Sequence, residues 1–166
     1  MATHPRYWRL QMEFTRPNYW GLLLDWYAVD AAGNVAVLIS GEGLIPKILF
    51  NNEERYTSIS DYFQNCPQIY DSTLSNYSKK LLKKHKTFDP SEFHKQSRRG
   101  LFSYYERSDD GFDTPNYDLY AIPTSWLNVA KLPKEIAEFL VPFRIKIGSF
   151  ADAQSLNVLD YFECDV

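Results

Sequence analysis

Four titratable side chains near the middle of the sequence have the residue types of a metal site or an acid–base site. His85 and His94 lie on either side of Asp89 and Glu92. If this segment folds back on itself, two imidazoles and a carboxylate could bind a metal ion or exchange a proton. Their spacing matches no established ligand pattern, and histidines on basic helices are usually ordinary surface residues, which is what we expect here.

Carboxylates also gather in a short segment that contains Asp109, Asp110 and Asp113. Their oxygens could bind calcium or magnesium, but the gaps between them match no defined metal loop. Residues 106–118 together carry a net charge of -4. A surface of that sign would attract a basic partner, so we interpret the segment as a solvated loop that could contact a protein.

Positive charge gathers between Lys79 and Arg99, where eight Lys and Arg residues face only two acids. Tyr77, Phe88 and Phe93 could stack on bases, so a nucleic-acid-binding module is one alternative function. Lysines opposite a leucine stripe are also how a surface helix stays soluble. Because the whole chain has a net charge of -3, we expect nucleic acid to be the less favoured partner.

The sequence lacks the motifs of the common enzyme classes. It has no G-x-S-x-G elbow, no H-E-x-x-H pair and no phosphate-binding loop. Cys66 and Cys164 are far apart, which predicts two reduced thiols. We therefore predict no catalytic residue, no cofactor and no metal. A small hydrolase or ligand-binding domain whose site forms only in the fold stays open as an alternative.

Length and composition are those of one domain with a substantial core. The chain has 166 residues, of which 45% are hydrophobic and 16% aromatic. No segment approaches the roughly 18 apolar residues of a membrane span, and the N-terminus lacks the apolar stretch of a signal peptide. The sequence predicts a single globular domain over residues 1–166, located in the cytoplasm and without a membrane partner.

Runs of β-forming residues predict three pairs of strands: 22–29 with 35–39, 101–106 with 117–122, and 143–147 with 156–162. The acidic segment falls in the loop of the second pair. In the first pair, Asp30 can accept bonds from the backbone ahead of it, and Gly33 can supply a positive φ. We interpret Asp30 and Asn34 as turn residues and not as cation ligands.

Helical spacing predicts three short helices. The first carries Ile59, Tyr62 and Phe63 and has Thr57 or Ser58 as its N-cap. The second follows the segment 71–73 and is lysine-rich; the third begins at Pro133 and ends before Pro142. Together the patterns predict an α+β domain, with an antiparallel sheet built from hairpins and two or three short helices packed on one face.

The run from Trp26 to Gly43, together with Ile122-Pro123 and Leu132-Pro133, resembles a group of bacterial proteins. Some members of that group are similar to immunity proteins of polymorphic toxin systems. The resemblance implies a small cytoplasmic protein that binds one protein partner and blocks it through surface shape and charge. It assigns no catalytic residue to this chain.

Our leading hypothesis is a non-enzymatic protein-interaction domain, an immunity-type protein that binds and inhibits a basic toxin. The residues expected to contact the partner are Asp109, Asp110, Asp113, Tyr104 and Asp118. The sequence leaves open whether the tryptophans are buried or form a second interface, since tryptophan is frequent in binding hot spots. They are Trp8, Trp20 and Trp26.

Overall fold

The structure, a computed structural model, describes residues 13–165 and contains one six-stranded sheet with five helices in that part of the chain. The strands are β1 (Leu24–Val29), β2 (Val35–Ser40), β3 (Ser72–Leu74), β4 (Phe102–Glu106), β5 (Asn116–Pro123) and β6 (Ser155–Asn157). The helices are α1 (Arg16–Tyr19), α2 (Glu53–Gln64), α3 (Asn76–Lys84), α4 (Ser91–Arg98) and α5 (Lys134–Leu140). The predicted α+β class is confirmed. None of the described helices is long and apolar enough to cross a membrane.

The strand order is β1-β2-β4-β5, and β5 is followed by two short strands, β3 and β6, which pair with its two halves. All pairs are antiparallel except β2 with β4, which is parallel. The sequence did not indicate this exception. It arises because residues 41–101 return the chain to the start of β4 through a long crossover that carries α2, α3 and α4.

The turn between β1 and β2 forms as predicted. Gly33 has a φ of +89° and its amide donates to the carbonyl of Asp30 over 3.0 Å. The carboxylate of Asp30 accepts a bond from the amide of Asn34 over 2.8 Å and one from the amide of Phe150 over 3.0 Å. Asp30 therefore closes the turn and also ties the hairpin to the C-terminal part of the chain.

One face of the sheet is covered by α2, α3 and α4. Tyr27 of β1 stacks on Phe63 of α2 with ring centroids 4.7 Å apart. Phe93 of α4 contacts Tyr105 of β4 and Tyr120 of β5, at 5.8 and 4.5 Å between centroids. These aromatic pairs hold α2 and α4 against the sheet.

The opposite face of the sheet is covered by the C-terminal segment, residues 143–164. Trp26 of β1 meets Phe162 edge to face at 5.9 Å, and Tyr104 of β4 meets Phe150 at 5.8 Å. Both faces of the sheet are therefore buried. This explains why every residue of β2 is buried and why its sequence is nearly all apolar.

Two of the predicted strands differ in the structure. The predicted strand at 143–147 is wrong: the chain forms a 3-10 turn at Val141–Phe143 and then a single bridge between Arg144 and Val29. Pro142 has no amide hydrogen for a sheet ladder and favours this turn. The predicted strand at 156–162 is reduced to β6, which is followed by a second 3-10 turn at Val158–Asp160.

The starts of the helices also differ from the prediction. The N-cap of α2 is Asn52, whose side-chain oxygen accepts a bond from the amide of Arg55 over 2.9 Å, so the predicted caps Thr57 and Ser58 are wrong. The segment 71–73 does not open α3. Ser72 and Thr73 lie in β3, and Ser75 caps α3 instead. The predicted helix after Pro133 is confirmed as α5.

Candidate binding site

The acidic loop, residues 107–115 between β4 and β5, presents carboxylates that differ in their surroundings. Asp109 is exposed. Asp110 is exposed as well, but its oxygen accepts bonds from the side chains of Asn116 and Thr114, each over 2.9 Å. The bonds from Asn116 and then Thr114 hold the pKa of Asp110 below its usual range. Asp110 is therefore charged and also holds the loop closed.

Asp113 fastens the acidic loop to two other parts of the chain. Its carboxylate pairs with the guanidinium of Arg16 in α1 over 2.5 Å. Its amide donates to the carbonyl of Glu42 over 2.9 Å, and its φ is +56°. A residue with this backbone geometry and these contacts sets the shape of the loop, so any contact that Asp113 makes with a partner comes in addition to a structural role.

Two of the residues expected to contact a partner point away from solvent. Tyr104 is fully buried, and its hydroxyl donates to the carbonyls of Phe150 and Ala153. Asp118 is 7% exposed and accepts two bonds from the guanidinium of Arg107 over 2.7 and 3.1 Å. The prediction of partner contacts therefore stays with the three aspartates of the acidic loop.

Glu106, counted with the acidic segment in the sequence, turns inward at the end of β4. Its carboxylate accepts bonds from the amides of Gly41 and Glu42 at 3.0 to 3.1 Å, and one from the hydroxyl of Ser40 over 3.3 Å. A side chain at Gly43 would meet Glu106 at 2.6 Å, so the glycine allows this close approach. Glu106 thus holds the connection after β2 and contributes little to the outer surface.

Exposed apolar side chains lie within the acidic loop and beside it. We call them the apolar ridge: Trp20, Leu22, Leu23 and Phe112, which are 40%, 37%, 72% and 68% exposed. The rings of Trp20 and Phe112 are in contact, with centroids 5.6 Å apart. The three tryptophans of the sequence analysis therefore differ in exposure. Trp20 is exposed, Trp26 is fully buried, and Trp8 lies outside the described residues.

Beside the ridge, a groove of about 500 Å³ opens between α3, α4 and the strands β4 and β5. Aromatic rings dominate its lining: Tyr77, Phe88, Phe93, Tyr105 and Tyr120. Tyr77, Phe88 and Phe93 are grouped in the sequence as candidate stacking surfaces, but Tyr105 and Tyr120 come from separate stretches of chain. No local pattern could have predicted that they meet.

The carboxylates of Asp89, Glu92 and Asp109 also line the groove. Asp89 accepts bonds from the hydroxyl and the amide of Ser91, and these hold its pKa below the usual range. Glu92 accepts a bond from the amide group of Gln96 over 3.0 Å. The groove thus combines an aromatic lining with negative charge.

A partly buried carboxylate is connected to the groove through a glutamine. Asp25 of β1 accepts a bond from the same Gln96 amide group over 3.4 Å, so one glutamine links it to Glu92. Burial, and then the negative charge of Glu92, raise the pKa of Asp25 to about 6. Arg99 donates to Gln96 over 3.3 Å from the other side. Local sequence patterns could not indicate this network, because Asp25 is far in the chain from Glu92, Gln96 and Arg99.

The two histidines occupy different surroundings. His85 is exposed at the edge of the groove, whereas His94 shares a hydrogen bond with the hydroxyl of Ser72 over 2.8 Å. Burial, and then the charge of Arg98, lower the pKa of His94. Within residues 13–165 no group of three or more His, Cys, Asp or Glu side chains could hold a metal ion.

The basic segment is less uniform than its sequence suggests. The lysines of α3 are exposed, opposite the half-buried Tyr77 and Leu81. Arg99 is 9% exposed and faces the buried network. At least one of the eight basic residues, Arg99, therefore makes its contacts inside the protein and not at the surface. Nucleic-acid binding by the others stays a prediction.

Comparisons with models of protein families, with curated proteins and with solved structures found no match to this chain. The resemblance to immunity proteins stays a prediction. The acidic loop, the apolar ridge and the groove are therefore the features of this chain that indicate a function.

Proposed function

We propose that the protein is a non-enzymatic interaction domain that binds a basic protein partner through the acidic loop and the apolar ridge. The observation that carries this proposal is the exposure of Trp20 and Phe112 side by side, with Phe112 in the same loop as the exposed Asp109. Contiguous exposed apolar side chains on a folded protein often mark a contact surface.

The two parts of this surface have different physical roles. Exposed aromatic rings supply the apolar area that dominates binding free energy at the centre of an interface. Carboxylates around them speed up the encounter with a positively charged partner and set its orientation. A surface of this kind suits an immunity-type inhibitor that covers the basic cleft of a toxin, the partner that the sequence resemblance implies.

The contacts of the acidic loop show which substitutions test the proposal most directly. Asp110 and Asp113 hold the loop together, so reversing their charges would also change its shape. Asp109 and Phe112 are exposed, and replacing them removes charge and apolar area with little effect on the fold. Matched controls exist elsewhere on the surface, since Asp71 is exposed and Ile69 is 70% exposed.

The experiment is affinity capture from the native cells, run in parallel with and without nuclease treatment, followed by measurement of the affinity for the recovered partner. We expect one basic protein, bound at least about tenfold more weakly by the double variant Asp109→Lys, Phe112→Ser. The control Asp71→Lys, Ile69→Ser should bind like the wild type. Equal binding by both double variants would contradict the proposal. Recovery of nucleic acid alone would support the basic segment instead.

A further inference from the structure

The groove has walls that suit a cation. Tyr77, Phe88 and Tyr105 are half-buried, and beneath them lie the buried rings of Phe93 and Tyr120. Adjacent centroids in this cluster are 4.5 to 6.2 Å apart, so the rings form one continuous surface. The face of an aromatic ring is electron-rich and attracts an ammonium or guanidinium group within about 6 Å.

The charged side chains around the groove also favour a cation. Asp89, Glu92 and Asp109 line it, and among the described lining residues there is neither Lys nor Arg. An anionic ligand would meet three carboxylates, and the imidazole of His85 is the single basic group among the described lining residues. A neutral ligand would gain only apolar contacts. A cation would gain the rings and the carboxylates together.

The size of the groove separates an organic molecule from a bare ion. About 500 Å³ falls in the range of roughly 300–1,000 Å³ that is common for small-molecule sites. A metal ion has no suitable ligand set within residues 13–165. We propose that this groove binds a small organic cation, an amine or quaternary ammonium group carried on an apolar body.

Titration calorimetry of the full chain tests this proposal with three probes of similar apolar length: hexyltrimethylammonium, hexanol and hexanoate. We expect the cation to bind at least about tenfold more tightly than the alcohol, and hexanoate to give no measurable binding. Equal affinity for the cation and the alcohol, or no binding of any probe, would overturn the proposal.

Paired variants locate the binding. Phe88→Leu keeps an apolar side chain and removes a ring, and Glu92→Gln removes a charge; each should lower the affinity for hexyltrimethylammonium by about three- to tenfold. Phe139→Leu and Glu138→Gln make the same changes on α5 and should have no effect. Wild-type affinity in both groove variants would show that the cation binds elsewhere and would also overturn the proposal.

This proposal does not rest on the proposed protein partner, although Leu23 and Asp109 belong both to the lining of the groove and to the proposed contact surface. The titration uses the isolated chain, so its failure would leave the protein interaction standing. Phe112 belongs to the ridge and not to the lining of the groove. Phe112→Ser is therefore expected to weaken partner binding while cation binding stays at the wild-type level.

Discussion

Three inward-facing carboxylates illustrate how single residues in this protein differ in their roles. Asp30 and Glu106 each accept bonds from two backbone amides, which fix their side chains in place. The Asp25 carboxylate has the Gln96 amide as its partner and lies near the charge of Glu92. Asp30 and Glu106 stabilise loops, whereas the charged form of Asp25 lowers the free energy of unfolding.

Asp25→Asn should stabilise the protein at neutral pH. Because the folded state raises the pKa of Asp25 from 3.8 to about 6, it binds the proton more tightly than the unfolded state does. The free energy of unfolding therefore falls as the pH rises between these two values, and the loss persists above pH 6. Removing the carboxylate should recover up to about 3 kcal/mol at about pH 8 and little at about pH 4.

Urea unfolding of Asp25→Asn and of the exposed control Asp71→Asn at both pH values measures this difference. Equal effects of Asp25→Asn at the two pH values, or a loss of stability at about pH 8, would contradict the assignment. The amide oxygen of the new side chain can still accept the bond from Gln96, which makes the substitution a conservative one.

At the level of elements, the β1–β2 turn depends on Gly33. Its φ is +89°, and a Cβ there would lie 2.9 Å from the side-chain oxygen of Asn128. Asn128 cannot move freely, because its amide group donates to Ala32 and its oxygen accepts from Ala130. We expect Gly33→Ala to lower the free energy of unfolding by about 2–4 kcal/mol.

Gly21 provides the matched control for this turn. Its φ is +82°, but nothing lies within 4 Å of an added Cβ, so Gly21→Ala should cost only the backbone strain of about 1 kcal/mol. Denaturant titration of the two variants separates the steric part from the conformational part. Similar losses in both would mean that Asn128 moves aside.

Local patterns predicted some of these elements and missed others for physical reasons. The β1–β2 and β4–β5 hairpins could be predicted from the sequence, because turn residues and β-forming runs act over a few positions. Helix α4, Ser91–Arg98, was missed because Phe93 is its only large apolar residue, too few for a stripe. The parallel pairing of β2 with β4 and the groove depend on contacts between distant segments, which no local period encodes. The acidic loop was found, but its internal bonds were not.

At the level of the molecule, the described core residues form one cluster that extends over both faces of the sheet. Phe150 lies within it, fully buried against Phe102 and Tyr104. We expect Phe150→Ala to lower the free energy of unfolding by about 3–5 kcal/mol. The helices and the C-terminal segment pack on opposite faces of the same sheet. We therefore expect them to unfold together.

Thermal unfolding of this variant, followed by near- and far-ultraviolet circular dichroism, tests that cooperativity. Coincident transitions are expected from both signals. A near-ultraviolet transition that precedes the far-ultraviolet one would show that the C-terminal segment detaches by itself. The surface variant Leu159→Ala, at an exposed position, serves as the control with little expected loss.

The parallel pairing of β2 with β4 bears on the order in which the chain folds. The β1–β2 hairpin needs only a short turn and can form within microseconds. Strand β4 can pair with β2 only after residues 41–101 have closed into a loop. The chain therefore loses the entropy of loop closure before the pairing of Ala36 with Phe102 can stabilise it. Until then, both apolar faces of the β1–β2 hairpin are exposed to water. We expect aggregation of newly made chains to begin from this partly folded state.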